Sequence, residues 1–333
     1  MKSLTDALRR FLKTEGTPTA LVYLFLVLVF MVLAPAAFLG HRTYMAHFAA
    51  VSPPMIVALT LTLLIVAGEI DLSFPAAIAA AGFVFSAVFK FDGSPWLALV
   101  AALSVGTLLG FLNGVIVALL GLPSFIITLA TLFLWGGLVV VISNGLSISI
   151  PGIVETQVFH LLTGRIYGFP IQFLWAIGVG VTMWFILNRH RFGESLMFMG
   201  DNPEVPKMLG ISLDAEKLKL FTLMGFMSSF AGVILTLESN NYFSNQGMGY
   251  LLIVVAGVFI GGTSIFGGSG TIVGTFFGSM IVGIIEIGLV ASGFQGFWTH
   301  VLIGAVFIAS VTISTALEDP NRLPLYRRLR GRR

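Results

Sequence analysis

Apolar residues run along the chain in long blocks, and short polar or Gly- and Pro-containing stretches separate these blocks. Most blocks approach the ~20 residues that a helix needs to cross a ~30 Å hydrocarbon core. The period-2 alternation of a half-buried strand is largely absent. The predicted spans are residues 18–38, 46–67, 73–90, 95–120, 124–143, 169–187, 218–237, 250–265, 271–291 and 297–316.

The amino-acid composition is that of a membrane-embedded chain. Hydrophobic residues make up 57% and charged residues only 10% of the 333 residues, and the mean hydropathy is +0.99. Backbone polar groups in lipid need internal partners, so the spans must be helices. We therefore expect an all-α integral membrane protein with about ten transmembrane helices, some of them interrupted, forming one transmembrane domain over 1–333.

The basic residues indicate the orientation of the spans. Fifteen of the 18 Lys and Arg fall on one side if the N-terminus is cytoplasmic, as the positive-inside rule requires. This places residues 1–17, a loop at 188–217 and a basic tail at 317–333 in the cytoplasm, together with both termini. The apolar run of the first span exceeds a signal-peptide core, so we expect a retained anchor; the alternative is a secretory signal cleaved near Ala34, Ala36 and Ala37.

Two similar interruptions lie between spans of the same polarity. The first is "GEIDLSFP" at 68–75 and the second is "GGTSIFGGSGTIVGT" at 261–275. Interrupted helices at corresponding positions indicate a duplicated half and point to a transport pathway. The alternative is that both are tight cytoplasmic turns.

No catalytic or cofactor-binding pattern is present in the sequence. The P-loop pattern, the H-E-x-x-H zinc spacing and the G-x-S-x-G elbow are all missing, and the chain has no cysteine. The basic residues flank spans and do not form a stripe that would bind nucleic acid. Energy for uphill transport must then come from a partner or an ion gradient.

The largest polar stretch covers 188–219 and carries helix signals. Asn202 is suited to an N-cap, Pro203 to the first helical position, Glu204 to the positive dipole end and Gly210 to a C-terminal stop. A short helix along the membrane surface would give a soluble partner something to bind. The alternative is a connecting loop that is basic only for topology.

Four motifs in order resemble the permeases of bacterial ABC importers of the ribose, xylose and galactose type. They are "GEIDLS", "PSFIITLAT" at 123–131, the segment "RFGESLMFMGDNPEVPKMLGISLDAEKLK" and the second interruption. The resemblance implies a bacterial inner-membrane permease paired with a second permease subunit, ATPase subunits that carry ATP and Mg, and an extracytoplasmic solute-binding protein. It also implies that ATPase contacts involve Gly200, Asn202, Pro203, Glu204, Leu209 and Gly210. Pro206 departs from the small residue usual in the family.

The two acids of the first interruption have different expected roles. An ionised carboxylate in lipid costs roughly 2.5–3.5 kcal/mol, so each should face the bundle interior, water or the interface. Asp71 fits the family pattern and is expected to cap a helix that starts at Ser73. Glu69 replaces a glycine of the pattern and is expected to line the translocation path; the alternative is a solvated interfacial carboxylate.

Other polar or pathway candidates are scattered along the spans. Glu286 lies within an apolar span, where it is either protonated or bonded between helices, or serves a pathway or subunit interface. The full set of predicted path residues is Glu69, Asp71, Ser73, Asn113, Phe125, Thr128 and Glu286.

We therefore expect an ABC importer permease subunit for a sugar or similar small polar solute. It is not expected to be an enzyme, and no cofactor is expected on this chain. Ion-coupled secondary transport through Glu69, Asp71 or Glu286 is an alternative, as is an ABC permease for a non-sugar solute such as a branched-chain amino acid. A membrane-embedded enzyme is disfavoured, because no acid–base or metal set is visible.

Overall fold

The computed structural model describes residues 15–318, and the predictions for the basic termini fall largely outside this range. It contains fourteen α-helices, one 3₁₀ turn and four two-residue strands in the described range. The α-helices are α1 Thr17–Leu33, α2 Pro35–Phe38, α3 His41–Val66, α4 Phe74–Asp92, α5 Pro95–Leu120, α6 Ser124–Ser143, α7 Gln157–Thr163, α8 Ile171–Arg189, α9 Arg191–Asp201, α10 Glu204–Met208, α11 Leu213–Ser239, α12 Tyr250–Ile260, α13 Ile272–Ala291 and α14 Trp298–Glu318. The predicted all-α architecture is confirmed.

The predicted spans match the helices closely, but three of them, at 18–38, 250–265 and 297–316, have no counterpart among the described helices that are long and apolar enough to cross a membrane. Seven described helices are long and apolar enough to cross a membrane: α3, α4, α5, α6, α8, α11 and α13. The span predicted at 18–38 is divided at Ala34, because Pro35 cannot donate the next helical hydrogen bond. The span predicted at 250–265 ends at Ile260 as an 11-residue helix. The number ten is therefore not established by helix length.

Helix α3 is the centre of the bundle. Its side chains are almost all buried from Val51 to Val66, and α8, α11, α12 and α13 pack around it. A helix that is apolar on every side is stable only when other helices surround it or lipid does. This central helix ends directly at the first interruption, so the interruption is held inside the bundle.

Glycines allow two helix pairs to approach closely. A Cβ atom on Gly110 of α5 would collide with the carbonyl oxygen of Phe221 in α11. A Cβ atom on Gly278 of α13 would collide with the carbonyl oxygen of Gly257 in α12. Glycine thus lets the helix backbones pack directly against each other at these two crossings.

The end of the bundle away from segment 188–219, here called the opposite face, carries two short antiparallel pairings. Strand β1, Ile148–Ser149, pairs with β4, Asn241–Tyr242. Strand β2, Arg165–Ile166, pairs with β3, Phe169–Pro170. The 3₁₀ turn Ile153–Glu155 and helix α7 lie between these strands in sequence. Such short elements carry no periodic signal, and the sequence did not predict them.

Candidate functional site

The first break, residues 67–73, is held by hydroxyl groups of a neighbouring helix. Helix α3 ends at Val66, and Gly68 turns the chain with a φ of 80°. Ser124 and Thr128, one turn apart on α6, accept hydrogen bonds from the backbone N–H groups of Ile70 and Leu72 at 3.0 Å each. Two side chains thus satisfy backbone donors that no helix satisfies here.

A buried chain of hydrogen bonds leads from α6 to the start of α4. The indole Nε1 of Trp135 donates to Asn113 Oδ1 at 2.9 Å, and Asn113 Nδ2 donates to Ser73 Oγ at 2.6 Å. Ser73 Oγ donates to Asp71 Oδ1 at 2.6 Å. Five of the seven predicted path residues therefore lie in or beside one network, namely Glu69, Asp71, Ser73, Asn113 and Thr128.

Asp71 accepts a backbone hydrogen bond just before α4, which begins at Phe74 and not at Ser73 as predicted; its capping role stays a prediction. Its Oδ1 atom accepts the N–H of Ser73 at 2.7 Å, and the helix begins one residue later, at Phe74. Burial raises the pKa of the Asp71 carboxyl to about 6, and the hydrogen bonds from Ser73 oppose this rise.

Glu69 forms an ion pair with the first turns of α11. Lys217 Nζ lies 2.8 Å from Glu69 Oε1, and the two side chains are only 24% and 10% exposed. The pair links the first break to α11, which begins at Leu213 within the polar stretch 188–219. The role of Glu69 in a translocation path stays a prediction, but its carboxylate is neither free nor fully solvated.

The second break, residues 261–271, is held mainly by backbone contacts. Gly267 and Gly268 both have positive φ angles, 83° and 73°. The N–H of Ser264 donates to the carbonyl oxygen of Ser269 at 3.1 Å, and the N–H of Gly268 donates to the carbonyl oxygen of Val66 at 2.8 Å. The second break therefore binds the last residue of α3, immediately before the first break.

Gly200 in α9 lies where the two breaks meet. A Cβ atom on Gly200 would fall on the carbonyl oxygen of Val66 and on the backbone nitrogen of Gly268. A Cβ atom on Gly267 would lie 3.1 Å from Gly200 Cα and 3.2 Å from Gly68 Cα. We call this contact of Gly68, Gly200, Gly267 and Gly268 the glycine junction.

The short helix predicted after Asn202 is present. Asn202 Oδ1 accepts the N–H of Glu204 at 3.0 Å, and α10 ends before Gly210, whose φ is 74°. Pro206 is buried within α10 and does not break it. Met208 and Leu209 are 86% and 62% exposed. The end of α10 thus presents apolar side chains away from the bundle.

Two predicted path residues lie outside this network. Phe125 is exposed on the outer side of α6. Glu286 lines a separate cavity of about 480 Å³, together with His47 and Tyr250. Among the described residues no group of three or more His, Asp or Glu could hold a metal ion.

Residues 43–311 match the family described as "Branched-chain amino acid transport system / permease component". This match covers most of the spanning helices, both breaks and the segment with α9 and α10. The chain belongs to this permease family. It is therefore a multi-pass membrane protein and a transport subunit.

Several sugar permeases are similar to this permease. The fructose import permease protein of Rhizobium meliloti is 30% identical over 94% of this chain and 89% of its own length. The ribose import permease protein of Escherichia coli K12 is 31% identical, with 78% and 81% covered. The D-allose transport system permease protein of the same strain is 29% identical, with 90% and 91% covered. No solved structure matches the chain.

Sequence reasoning missed three residues of these sites. Trp135 and Lys217 lie far along the chain from the partners that they contact, and nothing in their neighbours signals the pairing. His47 is buried in α3 and looks like an ordinary core residue in the sequence. In the sequence, Lys217 contributes only to the positive-inside pattern.

Proposed function

We propose that this permease imports a sugar or a similar small polar solute as part of an ATP-driven importer. The main support is the similarity of most of this chain to permeases for fructose, ribose and allose. The family description names branched-chain amino acids, but "GEIDLS" resembles the sugar-type motif. We place the bundle in the bacterial cytoplasmic membrane, with segment 188–219 and both termini in the cytoplasm.

The exposed end of α10 is the proposed contact for separate ATPase subunits. The residues proposed to couple the two proteins are Gly200, Asn202, Pro203, Glu204, Leu209 and Gly210. ATP and Mg would bind those partners and not this chain. The glycine junction supports the assignment, because a movement of α9 would be transmitted directly to both breaks through backbone contacts.

Two further partners complete the proposal. A second permease subunit, identical or homologous, would complete the translocation path, and an extracytoplasmic binding protein would deliver the solute. Solute selectivity would then reside mainly in the binding protein. The path residues proposed on this chain are Glu69, Asp71, Ser73, Asn113, Phe125, Thr128 and Glu286.

The test is uptake by proteoliposomes that contain the permease with its ATPase and binding-protein partners. We expect accumulation of at least one of labelled D-ribose, D-fructose and D-allose, dependent on internal ATP. Replacing the catalytic carboxylate of the ATPase should abolish it. Uptake without the ATPase that collapses with a protonophore would instead support ion-coupled secondary transport.

A further inference from the structure

The cavity near the opposite face combines apolar walls with four polar side chains, of which Thr43 already donates to the carbonyl oxygen of Ala37. It lies among α3, α12 and α13, has a volume of about 480 Å³, and is lined by His47, Tyr250 and Glu286. Small-molecule sites commonly measure ~300–1,000 Å³ and have mostly apolar walls with a few polar groups that fix orientation. The cavity therefore has the size and composition of a solute site.

His47 is the most informative residue in the wall. It is fully buried, and neither ring nitrogen has a hydrogen-bond partner within the described residues. Leaving a buried polar group without a partner costs roughly 1–3 kcal/mol, which native proteins rarely tolerate without a reason. One nitrogen of a neutral imidazole donates and the other accepts, so the ring can serve a hydroxyl group in either direction.

The surroundings fix the position of this ring. The Tyr23 ring stacks on His47 with centroids 6.2 Å apart, and Phe48 lies 5.8 Å away. The ring packs directly against Gly283 on α13, where an added Cβ atom would lie 2.9 Å from His47 Cε1. Glu286 follows Gly283 by three residues, so it projects from the same face of α13. The imidazole and the carboxylate thus share one cavity wall.

We propose that this cavity is a hydrated part of the transport path, in which Glu286 and His47 bind a hydroxyl-rich solute of monosaccharide size. Glu286 accepts hydrogen bonds from hydroxyl groups, His47 donates or accepts one, and the apolar wall of α3 contacts the carbon skeleton. The inference rests on the proposed function and adds a solute site on this chain. In this proposal Glu286 acts together with His47 and Tyr250 and is not part of the network at the first break.

The full-length chain suits a thiol-labelling test, because it contains no cysteine. Ala50→Cys places a single thiol in the cavity wall. Val181→Cys is the matched control. Both positions are exposed, and counted from the opposite face each is the tenth or eleventh residue of its helix. The groove around Val181, however, has no charged lining residue. Each purified variant is reconstituted alone in nanodiscs, without ATP, and treated with cationic or anionic methanethiosulfonates.

We expect Ala50→Cys to react and to prefer the cationic reagent severalfold, because Glu286 lines the same cavity and attracts cations. Glu286→Gln in the same background should remove the preference. Val181→Cys should react at least tenfold more slowly with both reagents. An unreactive Ala50→Cys, as in a cavity filled by lipid, or equal reactivity with both reagents overturns the proposal.

Solute binding is tested in the same variant by protection. At least one of D-ribose, D-fructose and D-allose should slow labelling of Ala50→Cys about threefold relative to glycine at equal osmolarity. Adding His47→Phe to this variant should abolish the protection, while the preference for the cationic reagent remains. If His47→Phe does not fold, His47→Leu replaces it. Lack of protection by all three sugars overturns the inference, and this outcome is distinct from failure of ATP-dependent uptake in the assembled importer.

Discussion

The two breaks interrupt the bundle at the same end but are stabilised by different means. In the first break, side chains of α5 and α6 bind the chain, and the acids Glu69 and Asp71 have specific partners. In the second break, glycines bring backbone against backbone, and the main bond to α3 joins Gly268 to Val66. Residues that look like a duplicated motif in the sequence therefore have different physical roles.

This difference suggests a division of work between the breaks. A hydrogen-bonded network of side chains resists deformation and holds one geometry. A glycine contact without side chains lets elements slide, because no interlocking groups must separate. We infer that the first break keeps one geometry during transport. Movement of α9 is transmitted to the rest of the bundle through the glycine junction. The following predictions test this contrast, from the largest expected effect to the smallest.

Gly200→Ala should have the largest effect, because the added Cβ would overlap Val66 and Gly268 backbone atoms. Overpacking costs typically 1–3 kcal/mol and occasionally more, and backbone atoms cannot rotate away, so we expect about 3 kcal/mol. Thermal unfolding in detergent measures the loss. ATP-dependent uptake should be lost as well.

Gly178→Ala is the matched control, since a Cβ atom added to Gly178 in α8 would meet no neighbouring group within 4 Å. It should leave the melting temperature unchanged or raise it slightly, as expected for Gly to Ala in a helix. If Gly200→Ala were as stable and active as this control, the junction would not be a tight contact.

Asn113→Leu tests the rigid network of the first break. The change leaves the Trp135 indole N–H without an acceptor and removes the amide that donates to Ser73 Oγ, which keeps its bond to Asp71; a buried unsatisfied group costs about 1–3 kcal/mol. We expect a loss of about 2 kcal/mol in unfolding experiments, together with altered Trp fluorescence. Asn188→Leu is the control and should cost less than half as much, because within residues 15–318 the Asn188 side chain bonds only to the Trp184 carbonyl in its own helix.

Much of the fold followed from the sequence, whereas the pairings within the site did not. The limits of α5 and α6 match their predictions because Pro95 and Ser124 begin these helices, and Gly121 and Asn144 follow their last residues with positive φ. Helix α9 was missed, because it is short and amphipathic between two polar stretches. The ion pair of Glu69 with Lys217 was missed because only the packing of α11 brings them together.

The Glu69–Lys217 pair should have a smaller effect than the network. Both side chains are mostly buried, so Glu69→Gln leaves the Lys217 ammonium group without its paired negative charge. We expect the free energy of unfolding to fall by about 1 kcal/mol. A double-mutant cycle with Lys217→Gln isolates the pair. The more exposed pair of Glu216 with Lys219 serves as the control and should couple by less than about 0.5 kcal/mol. Equal coupling in the two cycles would contradict a special role for the first break.

Leu209→Ala should change stability least and still reduce transport. Its side chain is 62% exposed, so truncation should alter the unfolding free energy by less than about 0.5 kcal/mol. Leu146→Ala, equally exposed at 65% near the opposite face, is the control. Uptake and ATPase stimulation in the reconstituted importer should fall severalfold for Leu209→Ala and stay normal for Leu146→Ala. α10 directly follows the helix that carries Gly200. A variant that loses transport but keeps its stability would therefore indicate that movement of the ATPase reaches the bundle through the glycine junction. Equal uptake by the two variants would remove α10 as the ATPase contact and leave the junction a purely structural crossing.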